Sequence, residues 1–220
     1  PNCKFMQGYG MTETSPAITM LPPECHTPGN PKMKAVGRPV SWVEAKIVDD
    51  NDVEVPRGTV GQIVTRGPHV MKGYWKMPEK TAEVLKGGWM HTEDGGYMDE
   101  DGFIYIVDRL KDMIITGGEN VYSAEVENAV MKFPGIAMCA VIGLPDPKLG
   151  EKVTAVVTPQ PGKTIVAEEL IAHCKENIGG YKVPRTVIVR DELPTSGAGK
   201  ILKNELRKQL GVDAMGKSKL

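Results

Sequence analysis

The sequence predicts an α+β fold in two pieces: a small β-barrel-like piece, then a compact α+β domain. Three observations carry that expectation. At 220 residues the chain has room for one large domain or two modest ones. Its first half sets glycine- and proline-bearing turns around short stretches of β character. Its second half alternates apolar strands with amphipathic helices.

In chain order, residues 1–40 read as loop, with Pro-Pro at 22–23 and Pro-Gly at 28–29. Stretches of β character follow at 44–48, 60–65 and 103–107, separated by turn clusters at 49–52 and 99–102. A short helix over 78–85 interrupts them, its proline at the start, where a missing N–H is harmless. Antiparallel strands packed as a small barrel or sandwich fit this region. After Arg109 the texture changes. Ser123 precedes an amphipathic helix with Val126, Ala129, Val130 and Phe133 on one face. Strands at 138–142 and 153–158 come next, then a helix carrying Leu170, Ile171, Cys174 and Ile178. A strand at 186–189 and a basic helix over 201–210 follow. The boundary falls in the polar run 108–112, giving pieces 1–108 and 113–220 with 109–112 between them.

Composition excludes several classes. With 40% hydrophobic and 25% charged residues, a sizeable core can form and wholesale disorder is excluded. Lys plus Arg number 27 against 28 Asp plus Glu, which argues against a nucleic-acid partner held by phosphate neutralisation. No apolar run approaches the ~20 residues that span a bilayer, so no transmembrane segment is expected. Cys3, Cys25, Cys139 and Cys174 show no CxxC spacing and read as reduced, mostly core cysteines, consistent with a cytoplasmic location. His26, His69, His91 and His173 show neither HxxxH nor HExxH spacing, and no GxSxG elbow exists. Metalloprotease and α/β-hydrolase chemistry fall away.

Four stretches carry side chains suited to chemistry. In QGYGMTET at 7–14, Gly8 and Gly10 permit close backbone approach to a ligand. Thr12 there suits a phosphate, and Glu13 is a hard oxygen ligand suited to Mg²⁺. An ordinary turn with a surface glutamate is the plainer reading of that stretch alone. In GWMHTEDGGYMDEDG at 88–102, Asp94 is placed just past a strand end, where a carboxylate can accept two sugar hydroxyls, or simply be solvated. The acidic run 99–102 is a hairpin turn, since an EF-hand would need Glu where Leu110 stands. DRLKDMIITGGEN at 108–120 offers Arg109, Lys111 and the Gly117-Gly118 pair, or a solvated linker and a turn. LPTSGAGKI at 193–201 is no Walker loop, because Pro194 and Ile201 occupy the places of its first Gly and its Ser/Thr. It presents one ammonium group, Lys200, able to steady charge developing on an anion, or a plain surface lysine.

Each stretch is weak alone; their order is specific. YGMTE at 9–13, VGQIVTRGPHVMKGYW at 60–75, GWMHTED at 88–94, DRLKD at 108–112, GGENVYSAEVE at 117–127, GYKVPR at 180–185 and PTSGAGK at 194–200 together resemble the C-terminal half of the adenylate-forming superfamily. That superfamily includes acyl- and aryl-CoA ligases, luciferases and peptide-synthetase adenylation domains, and Met11 and GGENVYSAEVE resemble the CoA ligases most. The resemblance implies that 1–108 is the end of the large AMP-binding domain, 109–112 a hinge at Lys111, and 113–220 the small lid domain. Gln7, Gly8, Tyr9 and Thr12 would hold the adenine and phosphates of ATP, with Glu13 on Mg²⁺. Asp94 and Arg109 would grip the ribose, Lys200 would act in adenylation, and Gly117 and Gly118 would line the coenzyme A passage. The implied activity is ATP-dependent ligation of a carboxylic acid to coenzyme A, with a medium- or long-chain fatty acid favoured by Met11, Ala17, Ile18 and Met20. An adenylation domain, a luciferase-like enzyme or a non-catalytic binding module are the alternatives. The family's phosphate loop precedes YGMTE, so this chain alone is expected to be inactive. The family also has Gly where Glu93 stands, which puts the ribose site in question.

Overall fold

Strand pairing separates the chain into two units, Pro1–Leu110 and Lys111–Leu220, in a computed structural model that describes residues 3–197 and 199–216. Among the described residues the first unit holds seven strands. β1 (Gln7–Tyr9), β2 (Thr19–Leu21) and β3 (Arg38–Pro39) form a three-stranded antiparallel sheet. β4 (Glu44–Val48), β5 (Gly61–Arg66), β6 (Met90–Met98) and β7 (Ile104–Arg109) form a four-stranded antiparallel sheet in chain order, with α1 (Pro78–Val84) between β5 and β6. Among the described residues the expected barrel-like closure is absent: both sheets are open. The outer edge of β7 is taken by the segment before β3, where Val36 N–H donates to Ile104 O and Ile104 N–H to Gly37 O, so it cannot pair with β4. Val36, Ile47, Ile63, Met98 and Ile104 make the core beneath this sheet.

β6 is the element whose extent the sequence concealed. Its polar, glycine-bearing run MHTEDGGYM lacks the usual alternation, yet it is nine residues of strand. The register explains the pattern. Gln62 pairs with Gly95 and Val64 with His91, so Thr92, Glu93 and Asp94 stand opposite Ile63 alone. The surplus is absorbed as a bulge, with Glu93 at φ 60°. Asp94 therefore sits inside a strand, not just past its end.

The second unit contains β8 (Ile114–Thr116), β9 (Glu119–Val121), α2 (Ser123–Val130), β10 (Ile136–Asp146), β11 (Gly150–Pro159), α3 (Ala167–Asn177), β12 (Thr186–Val189) and α4 (Lys203–Gly216). β10 and β11 form a long hairpin, β12 joins β11 in parallel, and β8 with β9 continues from the start of β11. Both faces of the long hairpin are covered. Cys139, Val141, Val153, Ala155 and Val157 pack with Val126 and Val130 of α2 and Leu170 and Cys174 of α3. Ala140, Ile142, Leu144 and Val156 pack with Leu206 and Leu210 of α4. A strand buried on both faces needs apolar residues at every position, which is why 138–142 reads as an unbroken apolar run. The α+β class stands, and Cys25, Cys139 and Cys174 are free and buried, with Cys3 exposed. Among the described residues no helix is long and apolar enough to cross a membrane.

Candidate active site

The β6–β7 hairpin aligns one end of the site. Asp94 and Arg109 are direct cross-strand partners, with Arg109 Nε 3.4 Å from Asp94 Oδ1. Tyr9, at the end of β1, donates its hydroxyl to Asp94 Oδ2 at 2.7 Å. Thr92 locks the bulge: its Oγ1 donates to Ile63 O at 2.7 Å and accepts from Asp94 N–H at 3.1 Å. Asp94 is buried while Arg109 is exposed, so the ion pair itself is screened and contributes little to stability. What the arrangement does provide is a buried carboxylate of fixed orientation. Burial first, then the Asp94 carboxylate, drives the Tyr9 phenol far above its ordinary range.

Glu13 lies on the next turn. The 3₁₀ turn Thr12–Thr14 is closed by Thr14, whose Oγ1 accepts from Met11 N–H at 3.0 Å. Glu13 is bound from the loop after β5: Met71 N–H donates to Glu13 O at 2.8 Å, and Tyr74 Oη donates to Glu13 Oε1 at 2.9 Å. The Tyr74 phenol is pushed up to about 12 by burial, then by the carboxylates of Glu13 and Glu93. Thr12 is exposed beside it. The close approach available at Gly10 serves the chain itself, since any Cβ there would run into the Pro16 carbonyl. Gln7 is half-buried on β1, on the same face as Tyr9, with the exposed Gly8 between them. No group of three His, Cys, Asp or Glu side chains suited to a metal occurs among the described residues. A single carboxylate is nonetheless what Mg²⁺ takes when waters and substrate phosphates fill its other positions, so Glu13 fits that ion in the company of a nucleotide.

The remaining predicted residues lie in the second unit, on three separate elements. Lys111 is exposed in the 3₁₀ turn Leu110–Asp112, and Asp112 beside it pairs with Arg207 of α4 at 2.9 Å. Gly117 and Gly118, with φ 61° and 85°, form the tip of the β8–β9 hairpin. Lys200 ends a tight loop in which Ser196 N–H donates to Lys200 O at 2.8 Å and Thr195 bridges Ile201. The Lys200 side chain is exposed; Ala198 of the same motif lies outside the described residues. Three residues on, Lys203 anchors the loop by donating to Ser123 Oγ at 2.6 Å and pairing with Glu127 Oε1 at 2.7 Å.

The structure thus joins Tyr9, Asp94 and Arg109 directly and gives Glu13 a partner that sequence reasoning missed, Tyr74. No spacing signal could have paired residues 61 positions apart. The β8–β9 hairpin was also missed, although Gly-Gly between two short β stretches is a two-residue hairpin signature.

The chain is similar to known enzymes in sequence and fold. A family profile described as AMP-binding enzyme matches residues 1–75, and one described as AMP-binding enzyme C-terminal domain matches residues 125–200. The chain is 49% identical over 207 residues to a feruloyl-CoA synthase of an Amycolatopsis species, covering 94% of this chain and 42% of that protein. It is 44% identical over 203 residues to a long-chain-fatty-acid–CoA ligase of Escherichia coli, covering 92% of this chain and 35% of that protein. Among solved structures, o-succinylbenzoate CoA synthetase from Bacillus subtilis, in complex with its acyl-adenylate intermediate, matches with a TM-score of 0.85 at 38% identity, over 92% of this chain and 40% of that one. The chain spans less than half the length of these relatives.

Proposed function

The chain belongs to the AMP-binding, adenylate-forming enzymes, and on that footing we propose that its parent is an ATP-dependent acid–thiol ligase that joins a medium- or long-chain fatty acid to coenzyme A. In the first half-reaction a substrate carboxylate oxygen bonds to the α-phosphorus of ATP, the bond to the β-phosphate oxygen breaks, and pyrophosphate leaves. Two anions must meet, so opposing charge is the catalytic need. Lys200 supplies an ammonium to the carboxylate and α-phosphate. Mg²⁺ held at Glu13 would neutralise phosphate charge when bound, and the Tyr74 hydroxyl keeps the Glu13 carboxylate aimed. Asp94 accepts the ribose hydroxyls, with Tyr9 and Arg109 fixing its orientation; Gln7, Gly8 and Thr12 border the adenine and phosphates.

In the second half-reaction a thiol sulfur bonds to the acyl carbonyl carbon, its proton is lost, and AMP leaves with the electrons of the anhydride bond. Gly117 and Gly118 line the thiol's path, and residues 109–112, with Lys111, are the hinge between the two uses of the second unit. The observation that carries the reading is the buried Asp94 carboxylate held between Tyr9 and Arg109. A second reading, an aromatic acid as substrate, is supported by the 49% identity to a feruloyl-CoA synthase.

The test is carboxylate-dependent pyrophosphate release from ATP, on this chain and on a version extended upstream, across fatty and aromatic acids. Release only from the extended form, strongest with medium- or long-chain fatty acids, is the expected result. Preference for aromatic acids selects the second reading, and no release from either form overturns both.

A further inference from the structure

β8 and β9 are three residues each, too short to hold their own position. The β8–β9 hairpin is instead pinned by the turn between β10 and β11. Gly117 N–H donates to Leu149 O at 2.8 Å, and Thr116 pairs with Gly150. Ile115 N–H donates to Glu151 Oε2 at 2.9 Å, a backbone-to-carboxylate bond where a longer sheet would offer a carbonyl. Asp146 sets the turn that presents Leu149 O: its Oδ1 accepts from Lys148 N–H at 2.9 Å and Leu149 N–H at 3.0 Å. The Glu151 carboxylate lies over Gly143 of β10, where a Cβ would stand 2.5 Å from Glu151 Oε1. Glycine within a buried strand ordinarily weakens it; here it leaves the space the carboxylate fills.

We propose that Glu151 is a positioning residue for thiol transfer: seated over Gly143, it holds β8 by the Ile115 N–H and so fixes the Gly117–Gly118 tip where the thiol passes. The inference rests on the reading of that tip given under the proposed function. Glu151 touches neither nucleotide nor acid in this role, so adenylate formation does not depend on it.

The experiment uses the full-length parent, unaltered and as Glu151→Ala, Glu151→Gln and Gly143→Ala. Adenylate formation is followed by pyrophosphate release without coenzyme A, and thioester formation is followed separately. Amide hydrogen exchange reports on Ile115 and Gly117. For Glu151→Ala, adenylate formation within about twofold of the unaltered enzyme is expected, with thioester formation slowed about tenfold and faster exchange at both amides. Glu151→Gln keeps an acceptor oxygen and recovers most of the thioester rate. Gly143→Ala displaces the carboxylate and gives the Glu151→Ala pattern in a chain that retains Glu151. Equal loss of both half-reactions, no loss of either, or Gln as poor as Ala would overturn the inference. Absence of adenylate formation in the unaltered parent would instead remove the functional reading beneath it.

Discussion

The two units handle backbone strain differently. Among the described residues, five non-glycine residues have positive φ, namely Ser15, Trp42, Asp52, Lys76 and Glu93, and all five lie in the first unit. In the second unit the left-handed positions are glycines, among them Gly117, Gly118, Gly135, Gly150, Gly162 and Gly199. Left-handed backbone costs a non-glycine residue about 1–2 kcal/mol, and such strain persists only where the surroundings enforce it. Two of the five flank the candidate site: Ser15 closes the turn that carries Glu13, and Glu93 immediately precedes Asp94. The second unit is a packing solution whose candidate residues Lys111, Gly117, Gly118 and Lys200 are exposed. In the first unit, the candidate residues Tyr9, Asp94 and Arg109 are built into the sheets. Stability and activity should therefore separate under mutation in the second unit and move together in the first.

The largest expected effect tests the packing side. Ile142 is fully buried between the long hairpin and α4, so Ile142→Ala removes about 2–5 kcal/mol of stability by urea unfolding of the parent. Adenylation per folded molecule stays unchanged at temperatures where the variant is folded. Next is its converse. Lys200→Ala, at an exposed tip, lowers carboxylate-dependent pyrophosphate release by about 10²–10³-fold and leaves the unfolding midpoint where it was. A variant at either position that moved both quantities equally would break the contrast.

In the first unit the two quantities should fall as one. Asp94→Ala leaves the Tyr9 hydroxyl without its acceptor and Arg109 without its cross-strand carboxylate. A loss of about 1–3 kcal/mol of stability is expected, together with a rise of about tenfold or more in the KM for ATP. Unchanged KM with lowered stability would mean that Asp94 only closes the sheet and does not meet the ribose.

The same contrast governs what was legible. In the second unit the apolar run 138–142 and the helical faces around Val126 and Leu170 follow directly from burial, and strand and helix positions emerged close to those observed: 186–189 coincides with β12. In the first unit 44–48 coincides with β4, but the strand expected to end before Asp94 runs on to Met98, its extent hidden because a bulged strand of polar residues has no period to read. Barrel closure failed as an expectation because strand patterns are silent about which edge another segment will cover. Ordered motifs singled out Tyr9, Glu13, Asp94, Arg109 and Lys200 as candidates. Tyr74 depends on tertiary proximity and Glu151 on a hydrogen bond between strands, and neither leaves a local mark.

The smallest effect is the most pointed test of strain. Glu93 stands at φ 60°, with its charge felt by Tyr74. Glu93→Gly relieves about 1–2 kcal/mol of left-handed strain, offset by glycine's extra freedom in the unfolded chain, about 0.5–1 kcal/mol, and by loss of the interactions of the glutamate side chain. Stability at neutral pH should therefore shift by under about 0.5 kcal/mol in the stabilising direction. The pH dependence is sharper. Folding raises the Tyr74 phenol from 10.0 to about 12, through burial first, then Glu13 and Glu93. Its neutral form is favoured in the native state, so its contribution is complete below pH 10 and is lost as pH climbs through 12. Removing the Glu93 charge lowers the native value, so Glu93→Gly loses less stability across that window than the unaltered protein. Tyrosinate absorbance isolates the group as the step missing from Tyr74→Phe. If Glu93→Gly destabilises the protein and leaves that step in place, the left-handed glutamate is held by contacts worth more than its strain, and the first unit's strained residues are structural supports of the site.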